Sequence, residues 1–180
     1  MALRRRLGKQ AYETIVPRAL AEQLGIEVCT PSDLAGIDDA DIKVLLRDDK
    51  DSWSAATVTI DSKSLVIINS SHAPVRQSSD LTHELAHILL DHEPARVDVT
   101  EDGLLVLNTY DGVQEDEANW FAGCILLPRE ALIYARRNGF DDARIVKEYG
   151  VSRDMVRFRL NVTAVDKQLS WIKGNSKTGP

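Results

Sequence analysis

Asp80-Leu-Thr-His-Glu-Leu-Ala-His-Ile-Leu-Leu-Asp-His92 is the stretch on which the reading of this 180-residue chain turns. At its centre stands His83-Glu84-Leu85-Ala86-His87, an H-E-x-x-H pattern. On a helix, positions i and i+4 lie on one face, one turn apart. His83 and His87 can therefore aim two imidazole nitrogens at one metal ion, and Glu84 beside them can reach a water on that ion. Leu81, Leu85, Ile88 and Leu89 form an apolar stripe next to the histidine face, which predicts a helix. Ser78, Ser79 and Asp80 read as its N-cap candidates.

Two histidines do not complete a catalytic zinc site, which usually takes three protein ligands and leaves a fourth position open. The third is sought in Glu115-Asp-Glu-Ala-Asn-Trp-Phe-Ala122, inside a helix predicted over residues 114–127 and stopped by Pro128. Glu115 and Asn119 share a face with Ala118 and Ala122, and small residues there let the helix pack close to the metal helix. Glu115 is the expected ligand, and Asn119 the expected hydrogen-bond partner of a histidine ring. Glu117 points elsewhere on a straight helix and ranks second, with Asp116 third. The competing reading is an ordinary helix with an acidic first turn, favoured by the helix dipole.

The rest of the chain predicts an α+β fold, mostly helical, with a small antiparallel sheet beside the H-E-x-x-H helix. Tyr12, Ile15, Val16, Ala19, Leu20 and Leu24 have helical spacing, with a kink or restart at Pro17 and a C-cap at Gly25. Residues 26–29 and 42–47 read as short strands. Residues 56–60 and 65–68 read as a hairpin turned by residues 61–64. Residues 69–76 read as a loop leading into the metal helix. Residues 93–111 are polar with two short apolar runs and suggest a flap or second hairpin. Further helices are expected over 130–138, 141–150 and 152–160. The resulting division is a basic tail at 1–8, a metallopeptidase core at 9–128, a C-terminal helical segment at 129–173 packed on the core, and a disordered tail at 174–180.

Composition narrows the function classes. Hydrophobic residues at 43% and charged residues at 28% suit a folded domain with its own core. No apolar run is long enough to span a bilayer, so no membrane role is expected. The basic start, Arg4 to Arg6, lacks a following apolar region and reads as a solvated tail rather than a secretory signal. Cys29 and Cys124 are far apart and outside any C-x-x-C pair, which fits a cytoplasmic location. A net charge of −6 disfavours direct nucleic-acid binding. From Asp91 to Glu117 there are nine Asp or Glu against one Arg, a surface suited to a basic partner.

Together, His83, Glu84, His87 and Leu90, then Glu115, Glu117, Ala118, Asn119, Phe121 and Ala122, then Leu126, Leu127 and Pro128 resemble the motifs of ImmA/IrrE-type zinc metallopeptidases. Asn69 and Arg76 also stand where that family often has them. The resemblance covers about residues 10–162. It implies a gluzincin-like site with His83, His87 and Glu115 on Zn2+ (Mn2+ or Fe2+ being compatible with the same ligands) and Glu84 as general base. It further implies a protein substrate, a helix-turn-helix DNA-binding repressor, and a setting in phage, mobile-element or stress-response operons. Ser79 and Asp80 replace an aromatic and a threonine frequent in the family, and Ala86 replaces a glycine.

Tyr110, Arg76 and His92 are candidates to stabilise the oxyanion of amide hydrolysis. For His92 a place at the helix end, on the C-terminal dipole, is preferred, and for Arg76 a structural salt bridge. Two other functions compete. Residues 142–161 have the look of a helix-turn-helix in which Arg153, Arg157 and Arg159 meet DNA phosphates, although that segment carries five basic and four acidic residues between Asp141 and Leu160. The other alternative is a non-catalytic module that binds a partner through the same C-terminal helices.

Overall fold

A computed structural model describes residues 2–60, 63–93, 96–99, 105–108 and 111–175. It opens with a short helix, α1 (Ala2–Arg6), and then α2 (Pro17–Leu24). Pro17 occupies the first turn of α2, where its missing N–H costs nothing. Gly25 closes α2 at φ 70°, a left-handed position that a Cβ would strain. β1 (Glu27–Cys29) leads to a 3₁₀ turn at Pro31–Asp33 and to α3 (Asp39–Lys43).

Residues 42–47, expected as a strand, are helical instead: α3 runs into a π-type turn at Val44–Asp48. The Asp38 side chain accepts from the Asp41 N–H, and Asp39 and Asp41 fill an acidic first turn. That capping commits the segment to a helix before its β-branched residues can matter.

β2 (Ala55–Ile60) and β3 (Lys63–Ile68) form the expected hairpin, with Ile60 paired to Lys63. Lys63 and Ser64 thus belong to the strand rather than to the turn. The sheet is mixed and not purely antiparallel, because β1 joins β3 in parallel with Glu27 beside Leu65. Residues 30–54 carry the chain from β1 to β2 on the far side of β3, and β2 returns it, so that β3 runs parallel to β1. Strand order is β1-β3-β2, which leaves β2 at an edge.

The helix that carries the H-E-x-x-H pattern, α4 (Pro74–Leu89), starts earlier than its polar residues suggested. Pro74 takes the first turn, so Ser78, Ser79 and Asp80 lie inside the helix and cap nothing. A two-stranded antiparallel pair follows, β4 (Arg96–Val99) and β5 (Leu105–Asn108). α5 (Gly112–Leu126) is capped by Asp111, whose carboxylate accepts from the Val113 N–H. α6 (Arg129–Arg137), α7 (Asp142–Tyr149), α8 (Arg153–Thr163) and α9 (Val165–Asn175) complete the chain. Asp141 and Ser152 cap α7 and α8, and Ala164 at φ 51° separates α8 from α9. Gly174 and Asn175, expected in the tail, end α9; residues 176–180 lie outside the described residues.

Two apolar clusters hold these elements. One packs α2, the sheet, α4 and α5 around Leu20, Val66, Ile68, Leu81, Leu85 and Ile125. The other gathers α6 to α9 around Leu132, Ala135, Ile145, Val156 and Val165. Each fully buried Leu or Ile contributes roughly 1.5–3 kcal/mol. Between them, Arg159 on α8 is 2% exposed and donates through Nε to the Leu127 carbonyl at 3.0 Å. Its stem passes where a Cβ on Gly123 would lie only 3.0 Å from Cδ, so α5 and α8 meet at a glycine.

A third and smaller cluster positions the site. Ala86 of α4 packs on Ala118 and Ala122 of α5, all nearly inaccessible. With no side chain beyond Cβ at the seam, the two helices approach closely.

The N-terminus departs from the expected solvated tail. Arg4 is 5% exposed, and its guanidinium donates to the carbonyls of Glu13 and, at 2.6 Å, of Ile125. It ties α1 to the end of α5. Arg4→Ala should therefore lower stability by about 1–3 kcal/mol, the cost of leaving buried carbonyls unpaired. Urea unfolding monitored by circular dichroism measures it; a change within about 0.5 kcal/mol, as for a surface residue, contradicts the tie.

Candidate metal centre

α4 presents His83 and His87 one turn apart, with their Nε2 atoms 3.0 Å from each other. α5 brings Glu115 across the alanine seam. Its carboxylate oxygens lie 3.2 Å from His83 Nε2 and 3.4 Å from His87 Nε2. Tetrahedral ligands at bonds of about 2.0 Å stand about 3.3 Å apart, so these three separations match what one zinc ion requires. All three donors lie within 4.8 Å of one another. Their side chains are 21–32% exposed, so a fourth corner is open to solvent. The donor set fits a borderline divalent cation: two imidazoles and one carboxylate.

Burial shapes the imidazole. His87 has its pKa lowered, first by desolvation and then by the neighbouring His83. It is thereby held neutral, the form in which a ring nitrogen keeps a lone pair for a metal.

Glu84 sits a third of a turn from His83 and faces the sheet. Its Oε2 accepts a hydrogen bond from the Thr57 hydroxyl on β2. Burial raises the Glu84 pKa; the Thr57 hydrogen bond and the adjacent His83 oppose that rise. Thr57 has no mark in the sequence, since it reaches Glu84 through strand pairing and not through spacing along a helix.

The remaining expectations divide. Glu117 lies off the triad, with Oε2 3.2 Å from His92 Nε2. Asp116 and Asn119 are exposed and border a groove with Trp120 and Phe158. Asn119 therefore does not hold a histidine ring. That place is taken by His92, whose Nδ1 lies 3.0 Å from His87 Nδ1. The helix-end reading accounts for the His92 backbone, which donates to the His87 carbonyl at 3.1 Å, but not for its ring. Arg76 donates to Ser54 Oγ and stands 3.8 Å from Asp80. Tyr110 lies outside the described residues. Of the arginines assigned to DNA contact, Arg159 is buried, and Arg157 lies 3.4 Å from Asp154.

A model of the IrrE N-terminal-like domain (Peptidase_M78) matches residues 21–161. Among solved structures, a Mycobacterium tuberculosis transcriptional regulator is similar at 19% identity and a TM-score of 0.47, over 81% of this chain and 39% of that one. This chain thus spans about two fifths of that protein's length. No curated protein sequence matches. No helix among the described residues is long and apolar enough to cross a membrane.

The raised Glu84 pKa has a consequence for the metal-free protein. The folded state binds the proton more tightly than the unfolded one, so the stabilising contribution is complete below the unfolded value and is lost as pH rises through the folded value. Glu84→Gln removes this half-buried charge. The metal-free variant should melt above wild type at pH 8, with the difference shrinking towards pH 4. Thermal melts in chelator at both pH values measure this, and a pH-independent difference contradicts it.

Proposed function

The chain belongs to the IrrE N-terminal-like (Peptidase_M78) family, and on that premise we propose that it is a zinc-dependent endopeptidase with Glu84 as general base. The observation that carries the reading is the convergence of His83, His87 and Glu115 from two helices, with a half-buried carboxylate one residue from the first histidine. In this reading the three converging side chains hold the cation. Bound there, a zinc ion supplies Lewis acidity and lowers the pKa of a coordinated water to about 7.

The chain's own groups do the rest. Glu84 takes a proton at a carboxylate oxygen and returns it to the leaving amine. Thr57 holds Oε2 and so turns the carboxylate's other oxygen to the reaction. β2 is an edge strand of the sheet and carries Thr57, so an extended peptide added along that edge runs past Glu84. Main-chain pairing of this kind fixes the scissile bond without demanding a particular side chain.

The substrate in this proposal is a helix-turn-helix repressor. The acidic run from Asp91 to Glu117 supports a basic partner of that kind. Direct DNA binding through α8 has less support, since Arg159 is committed to the Leu127 carbonyl and Arg157 faces Asp154.

The test co-expresses the protein with a helix-turn-helix repressor, sought first among the genes beside its own, and looks for cleavage at one site. Glu84→Gln should keep zinc by elemental analysis while losing at least about 10²-fold in cleavage. Wild-type cleavage by that variant would sink the general-base assignment. Glu115→Ala should lose more zinc than Glu117→Ala, and equal occupancy in the two variants removes Glu115 from the ligand set.

A further inference from the structure

The metal-site reading leaves two side chains unused. His92 is 7% exposed at its side chain and lies between His87 and Glu117. Neither spacing nor helical periodicity points to it, because it stands beyond the end of α4. Its position is set by the way that helix stops. Asp91 adopts φ 55°, its N–H donates to the Ile88 carbonyl at 3.2 Å, and the His92 N–H donates to the His87 carbonyl at 3.1 Å. This is a Schellman closure with aspartate where glycine is usual. It folds the chain back one turn, so the His92 ring meets the edge of the His87 ring with centroids 4.9 Å apart and planes at 74°.

We infer that His92 and Glu117 form an outer relay that positions His87 as a metal ligand; this rests on the metal-site reading given above. The direction of the hydrogen bonds supports it. For His87 to offer its Nε2 lone pair to a cation, its hydrogen must sit on Nδ1. That N–H donates to His92 Nδ1, 3.0 Å away, which must then be a bare acceptor. The His92 hydrogen therefore lies on Nε2 and donates to Glu117 Oε2 at 3.2 Å. Each bond in the chain has one donor and one acceptor, and the chain ends on a carboxylate that needs no hydrogen of its own.

The opposite tautomer of His87 breaks the arrangement. It would aim an N–H into the triad and leave two bare nitrogens facing each other at 3.0 Å. The relay thus selects the ligating tautomer and fixes the ring's rotation, and through the carboxylate it makes the ligating nitrogen more basic. His83 shares the metal triad, but this relay bears on His87. Glu117, ranked behind Glu115 as a ligand on helical phase, acquires a separate role on the adjoining face of α5. Both are positioning residues, since they act through His87.

The experiment uses the full chain and zinc itself. Zinc affinity is measured by competition with a chromophoric chelator, and the cobalt-substituted protein gives a visible spectrum that reports ligand geometry. His92→Phe keeps the ring's bulk and removes both nitrogens. It should weaken zinc binding by about 10–100-fold and shift the cobalt bands. His92→Asn should recover most of the loss, because its side-chain oxygen can accept from His87 Nδ1 and its amide can donate onward. Glu117→Ala, at an exposed position, should weaken zinc binding by roughly two- to fivefold in the wild-type background. Added to His92→Phe, it should have no further effect.

Wild-type affinity and spectrum in His92→Phe overturn the relay, as does a Glu117→Ala loss that persists undiminished beside His92→Phe. If His92→Phe does not fold, Glu117→Ala decides, and unchanged zinc affinity there overturns the inference. A wild-type protein that binds no zinc instead removes the metal-site reading on which all of this stands.

Discussion

The contact between Ala86 of α4 and Ala118 and Ala122 of α5 is the constraint on which the site depends. Side chains one methyl long let two helices approach until ligands on their facing edges share one small volume. The donor separations of 3.0, 3.2 and 3.4 Å would leave only tenths of an ångström to spare around a single cation. A larger residue at the seam would move α5 outward and carry Glu115 with it, while leaving both histidines in place. Packing and metal geometry are therefore one requirement here. The same economy recurs at the other face of α5, where Gly123 admits the stem of the buried Arg159 and joins the helix to the C-terminal cluster.

Glu84 illustrates a different tension. A carboxylate turned towards the sheet loses hydration, and burial raises its pKa. The Thr57 hydroxyl returns one hydrogen bond and partly offsets that cost. The result is a group kept less stable than the fold alone would choose, which is the usual relation between a reactive side chain and its scaffold. The buried stripe of α4, with Leu81 and Leu85 nearly inaccessible, supplies the rigidity that holds such a group in position. The strand that carries Thr57 is also an edge strand of the sheet, so the hydroxyl that meets Glu84 comes from the border of the sheet and not from its centre.

Several departures from the sequence reading share one cause, which is that local signals were outcompeted by signals of another kind. Ser78, Ser79 and Asp80 look like caps, yet Pro74 begins α4 a full turn earlier because its backbone angle is already helical. Residues 42–47 have the composition of a strand, yet the Asp38 cap commits them to a helix. Arg4 looks like part of a basic tail, yet its guanidinium is held by two carbonyls, one of them 121 residues away. Asn119 sits at the right helical interval to serve a histidine, but it lies one turn further along α5 than Glu115, where it borders the groove beside α8.

What could be determined from the chain alone was whatever depends on helical phase: His83 and His87 on one face, Glu84 beside them, and Glu115 rather than Glu117 on the face that meets them. Helix periodicity is local and nearly invariant, so four residues of spacing suffice to state it. Tertiary structure alone decided which distant groups complete the site. Thr57 reaches Glu84 only once β2 pairs with β3, and His92 reaches His87 only once Asp91 turns the chain back. The first contact joins residues with no fixed interval between them and forms because packing brings the sheet against α4; the second depends on a left-handed turn at an aspartate, a conformation that the residue type does not announce.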